Sequence, residues 1–290
     1  MKIIERGRLN IIASNLKENT APFESGKSYK KGERVLFERY IYEALQDTSE
    51  TPDPLKGFWK RVGVSNEFAP FDFYLNTAGI VEKSLELSVH AFGARALFLG
   101  NLKAKHLSIE VLDSRTGALL EAKEYRLFGH SIASWSDYFF GSWRTKSRHN
   151  VYYELSTLAR EVTFKVHAWG LAKIELGMFY AGGLQELGTT LYDKNSLSIL
   201  DFSRVKTDES GITELQKGAF KRTHAFNLLV QESQLDLLAY ALAEARGEAR
   251  VFVVSNYFES FVIFGFLKHH EILLSKPSRS IVSVEIEGLI

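Results

Sequence analysis

The sequence predicts a mainly β protein made of a small β module, a jelly-roll-like β-sandwich and a C-terminal β-barrel with one α-helix. Three observations carry this. Most of the chain alternates apolar and polar residues with period two, the spacing that sends successive side chains to opposite faces of a strand. Only one segment has a convincing helical period. Finally, 21 Phe, 12 Tyr and 4 Trp among 290 residues supply the large side chains a packed core needs.

Taken in order, residues 1–24 form an N-terminal arm whose Ile3, Ile4, Leu9, Ile11, Ile12 and Leu16 make it apolar enough to add as a strand. It pairs either with its own barrel or with an adjacent subunit. Residues 25–70, rich in Tyr, Gly and Pro, are too few to bury a large core and read as an inserted module. Residues 71–188 hold the sandwich. Leu85, Leu87, Val89 and Ala91 alternate with polar residues, as do Leu107, Ile109 and Val111. Asp113-Ser114-Arg115-Thr116-Gly117 then supplies a hairpin turn. Val162, Phe164, Val166 and Ala168 make a further strand, and Ala172 to Met178 another.

Residues 189–290 form the barrel, with strands over Lys221–Val230, Arg250–Val254, Phe261–Leu274 and Ser280–Ile286. Its helix runs from Ser233 to Arg246, where Leu235, Leu238, Ala239 and Leu242 share one face. Ser233 and Asp236 resemble a capping box, and Gly247 provides the stop.

Composition removes several function classes. Lys and Arg number 36 against 35 Asp and Glu, a formal net charge of +1, so nothing here favours a nucleic-acid-binding face. The absence of cysteine excludes disulfides, thiol nucleophiles and thiolate metal sites. Glu5, Arg6 and Arg8 interrupt any secretory apolar run, and no stretch nears the roughly 18 apolar residues of a membrane span. No cofactor and no metal site are expected. His269 and His270 are adjacent on a strand and point to opposite faces, and Ala181-Gly182-Gly183-Leu184 lacks the order of a phosphate loop.

Two motif groups carry the functional expectation. In the first, Tyr29 is followed by Gly32-Glu33-Arg34-Val35, by Tyr42-Glu43-Ala44 and by Trp59. This order resembles the small β modules appended to chitinases and related glycan-active enzymes. The resemblance implies a sugar-stacking platform of Tyr29, Tyr42 and Trp59, with Phe23 where such modules carry an exposed Trp. The alternative is that these aromatics are the core of a module with no other.

The second group begins with Trp59-Lys60-Arg61-Val62-Gly63-Val64-Ser65-Asn66-Glu67-Phe68-Ala69-Pro70-Phe71-Asp72. Later come Trp135-Ser136-Asp137-Tyr138-Phe139-Phe140, Leu187-Gly188, Asp201-Phe202-Ser203, Lys206-Thr207-Asp208-Glu209-Ser210-Gly211, Tyr257-Phe258-Glu259-Ser260 and Glu285-Ile286-Glu287-Gly288-Leu289. Their order is similar to that of tailed-bacteriophage tail-tip or baseplate proteins of the distal-tail kind. Glu67-Phe68-Ala69-Pro70 stands where those proteins often have a basic residue, an aromatic, Ala and Met.

The resemblance implies a structural, non-enzymatic virion protein, assembled in the bacterial host cytoplasm. It would form a homo-oligomeric ring between the tail tube and the host-recognition apparatus, with the baseplate hub as a further partner and weak binding of a host-surface glycan. Ile3, Ile4, Leu9, Ile11 and Ile12 are then the candidate assembly residues. The competing class is a glycan-active enzyme. It requires two carboxylates about 5–10 Å apart; the candidates are Asp137 beside Trp135 and Tyr138, or Asp201 with Asp208, and the Asp137 run is loop-like while Asp208-Glu209-Ser210-Gly211 has turn composition.

Overall fold

The structure, a computed structural model, describes residues 1–130, 135–140, 145–192, 195–207, 210–211, 213–256, 258–276 and 278–289. Strands hold 59% of the chain and helical turns 9%, so the mainly β expectation holds. The barrel does not. Among the described residues, fourteen strands form one sheet that branches and does not close. Strands on both sides of position 188 belong to it.

The organising element is a 26-residue strand, Glu161–Glu186. Two strands were expected here, and the structure joins them through a register shift between Trp169 and Lys173, where Gly170 adopts φ of 100°. A side chain at that φ is strained, so glycine absorbs the bend. Before the bend the strand lies between Gly79–Phe92 and His106–Asp113. After it, the same strand pairs with Ala96–Lys103 and then with the arm strand Lys2–Arg6. Bent this way, it contributes to both layers of a sandwich. Val162, Phe164, Val166, Ile174, Leu176 and Phe179 enter a core closed by Leu85, Leu87, Val89, Leu97, Leu99 and Ile109.

Ala96–Lys103 was not anticipated. It is buried on both faces, so its apolar residues run together without alternation. The hairpin after His106–Asp113 is as the turn residues predict: Gly117 takes φ of 71°, and its N–H donates to the Asp113 carbonyl at 2.8 Å.

The arm folds back into its own sheet. Lys2–Arg6 lies between Glu161–Glu186 and Arg250–Val253, with Ile3 on one face and Ile4 on the other, both fully buried. These two were assembly candidates, and the structure makes them core instead. A strand paired on both edges and covered on both faces has no surface to offer a neighbour. The next strand, Arg8–Ser14, pairs among the described residues only with Gly79–Phe92. There Leu9 and Ile11 pack against the sandwich core, while Ile12 is exposed.

The C-terminal part continues the sheet through Arg250–Val253, Val262–Lys276, Arg279–Gly288 and Phe220–Gln231. The helix Leu235–Glu244 lays Leu238, Ala241 and Leu242 on Phe226, Leu228, Phe252 and Val282. Its start differs from expectation. A 3₁₀ turn, Glu232–Gln234, takes the place of the capping box, and the N-cap residue Gln234 makes no side-chain cap. Gly247, at φ of 77°, follows the last turn as expected.

Candidate functional site

The small module is a three-stranded antiparallel sheet of Arg34–Phe37, Tyr40–Ala44 and Trp59–Val64. Its expected sugar platform is corrected by burial: Tyr29 is 4% exposed, Tyr42 8% and Trp59 1%. Phe23 packs against the same cluster. The rings are not coplanar. Tyr29 meets Trp59 at 66° and Phe23 meets Trp59 at 88°, edge-to-face contacts of a core. Trp59 Nε1–H donates to the Glu50 carbonyl at 2.9 Å, which satisfies its one polar atom from within. A module of about 40 residues has few large side chains and needs them inside. The Gly-Glu turn has a structural role as well. Gly32 N–H donates to the Ala44 carbonyl, and the Glu33 carboxylate accepts from Lys30 N–H.

Asn66 fixes the module to the sandwich. Its side-chain amide donates to the carbonyls of Lys17 and Ile80, and its carbonyl oxygen accepts from Ile80 N–H at 2.7 Å. Asn66 N–H donates to Glu18 at 2.7 Å. Burial opposes the Glu18 charge, but this bond and those from Asn19 and Thr20 outweigh it and hold the carboxyl below its ordinary pKa. The Asn of the Trp-to-Asp motif is therefore an anchoring residue.

The surface with unspent binding capacity lies in the C-terminal part. Among the described residues, Ser196–Asp201 pairs only with Phe220–Gln231, and all six of its residues are exposed, including Leu197, Ile199 and Leu200. Beyond it, Arg204–Thr207 and Thr213–Gln216 form a separate two-stranded ribbon with every residue exposed. Val205 and Leu215 sit opposite each other there, 63% and 76% exposed. Phe202 and Phe220 extend the apolar surface toward the ribbon's base. Single exposed apolar residues are ordinary, but a bare edge strand followed by a bare hairpin is not.

A cavity of about 480 Å³ adjoins this surface and is lined by Tyr192, Asn195, Val254 and Phe258 among others. Its polar wall is already neutralised. Lys2 Nζ lies 2.6 Å from Glu154 and 3.1 Å from Glu186, and the Tyr152 hydroxyl donates to Glu154 at 2.8 Å. Burial works against the Lys2 charge, yet the two carboxylates more than offset it and raise its pKa. Burial first, and the Glu154 contact second, push the Tyr152 hydroxyl up as well. With its charges paired, the cavity is suited to holding an apolar side chain rather than to acid–base chemistry.

Of the carboxylates considered for catalysis, Asp201 is the one whose side chain is among the described residues. Asp201 caps the turn after its strand, accepting from the Ser203 hydroxyl and N–H, and these bonds lower its pKa. Asp208 and the Asp137 side chain lie outside the described residues. Among the described residues, no group of three or more His, Asp or Glu is placed to hold a metal ion, and no helix is long and apolar enough to cross a membrane.

The sequence reading missed Ser196–Asp201 as an element, although Leu197 and Ile199 alternating with Ser196 and Ser198 was the available signal. Compared with family models, curated proteins and solved structures, the chain finds no match.

Proposed function

We propose that the protein is a structural component of a phage tail tip or baseplate, working as a homo-oligomeric ring between the tail tube and the host-recognition apparatus. The observation that carries this reading is the exposed edge strand and ribbon over 196–216. An isolated two-stranded ribbon is marginal in water, and one that bares Val205 and Leu215 gains stability by packing on another surface. A neighbour in a closed ring supplies that surface by head-to-tail contact. The order of motifs shared with tail-tip proteins supports the same reading. Sugar binding through Tyr29, Tyr42 and Trp59 is not part of the proposal, because their faces are spent in the module core.

Immunogold electron microscopy of purified virions tests the location. Label confined to the tail tip is expected. Virions that contain none of this protein would overturn the reading.

A further inference from the structure

A second unfilled feature lies away from the ribbon. Between the arm and segment 67–73 runs a groove of about 590 Å³, with Arg6, Arg8 and Arg39 at its rim and Phe68, Phe71 and Phe73 in its wall. One side is the edge of Arg8–Ser14 that is free among the described residues, where this strand pairs only with Gly79–Phe92. In an antiparallel ladder, alternate residues of an edge strand aim their N–H and C=O groups outward, so the arm presents unpaired backbone to the groove. The six arm residues lining it, from Arg6 to Ile11, span roughly 20 Å at strand rise.

The lining carries three arginines against one carboxylate. Arg6 Cζ lies 3.9 Å above the Phe73 ring and Arg39 Cζ 4.9 Å above Phe68. The rings hold these guanidiniums by cation–π contact, so their N–H edges remain free for a ligand. None of the three arginines makes an ion pair among the described residues. Glu67 also lines the groove and is not ion-paired with any of them. Another edge strand, Leu119–Arg126, differs. It mixes Glu121, Lys123, Glu124 and Arg126, the blunting of an edge that has no strand partner. Two copies of the arginine-rimmed edge would repel each other, which disfavours pairing of like edges.

We propose that this groove receives an extended acidic segment of a different protein, which adds as a strand along Arg8 to Ile11 and sets its carboxylates against Arg6, Arg8 and Arg39. The regular ladder ends where the register shifts between Ile11 and Ala13, so the bound segment is about four residues long. An acidic polysaccharide would satisfy the arginines but not the free backbone edge, and the peptide is therefore the better fit.

The test uses the full chain and four fluorescent probes: an acetylated peptide alternating Val and Glu, its Gln analogue, the Glu peptide with alternate backbone nitrogens methylated, and labelled polygalacturonate. Fluorescence anisotropy should show saturable binding of the Glu peptide, weakened roughly tenfold or more by Arg8→Gln or Arg39→Gln. The Gln analogue and the methylated peptide should bind at least about tenfold more weakly. Unchanged melting temperatures of both variants establish that the loss is not unfolding, and Lys123→Gln, on the mixed-charge edge Leu119–Arg126 outside the groove, should leave binding unchanged. Absence of saturable binding, or indifference to the arginine variants, would overturn the proposal. So would methylated peptide or polygalacturonate binding as tightly as the Glu peptide, since that would mean charge attraction without strand addition. Ring formation is read separately by mass, so its failure and the failure of this site are distinguishable.

Discussion

Gly182 sits where the arm passes closest to the long strand. A Cβ there would lie 1.7 Å from the Glu5 carbonyl oxygen and 2.5 Å from Gly7 N, both backbone atoms. The pair Gly182-Gly183, which carries no phosphate-loop order, thus marks a close approach of two strands. Gly182→Ala should destabilise the protein by roughly 3 kcal/mol, in the range of an overpacked core. A urea midpoint close to wild type would mean that the arm does not dock as described.

His224 is the second residue with a measurable signature. It is 1% exposed, neither ring nitrogen has a hydrogen-bond partner among the described residues, and the Phe261 ring stands edge-on 5.4 Å away. Burial first, and Arg222 second, depress its pKa from 6.5 to about 4. Because the folded pKa lies below the unfolded one, the unfolded chain takes up the proton first. Stability is therefore full above about pH 6.5 and falls as the pH drops toward 4, by roughly 2–3 kcal/mol. His224→Leu should flatten that part of the urea midpoint–pH curve. An equal slope in wild type and variant would show that His224 is not the cause.

At the scale of elements, the module and the ribbon behave oppositely. The module has its own core, and Trp59→Ala removes the largest side chain in it, at a cost of about 3–5 kcal/mol. Limited proteolysis of that variant should cut within 25–64 first while the large sheet persists. Simultaneous loss of both would show that the module does not unfold by itself. The ribbon has no core to lose. Val205→Thr combined with Leu215→Thr keeps strand-forming residues while removing apolar surface. It should leave the melting temperature of the monomer unchanged and weaken self-association roughly tenfold or more.

These elements also show what the sequence disclosed. Half-buried strands such as Gly79–Phe92 were legible because one face is apolar and the other polar. Ala96–Lys103 was not, since burial on both faces erases the alternation. The helix was legible from its apolar stripe, but its start was not, because a 3₁₀ turn did the work assigned to a cap. For the aromatics of the module, sequence order alone could not distinguish a platform from a core. Only Trp59's inward hydrogen bond and the inclined rings decide it. The arginine groove was invisible for a different reason: Arg39 and Arg8 are joined by folding, not by spacing.

For the whole molecule, the arm gives the fold its coherence. Lys2–Arg6 bridges the sandwich half of the sheet to the helix-covered half, so the two halves form one continuous sheet. The exposed edge strand and ribbon support the proposed closed assembly, in which each copy would cover its neighbour's exposed strands. The most direct test is native mass spectrometry of the purified 32.9 kDa chain, alone and as the Val205→Thr, Leu215→Thr variant. A single closed oligomer that shifts to monomer in the variant is the predicted result. A wild-type chain that stays monomeric up to about 100 µM, which corresponds to association weaker than about −5.5 kcal/mol, would contradict the account.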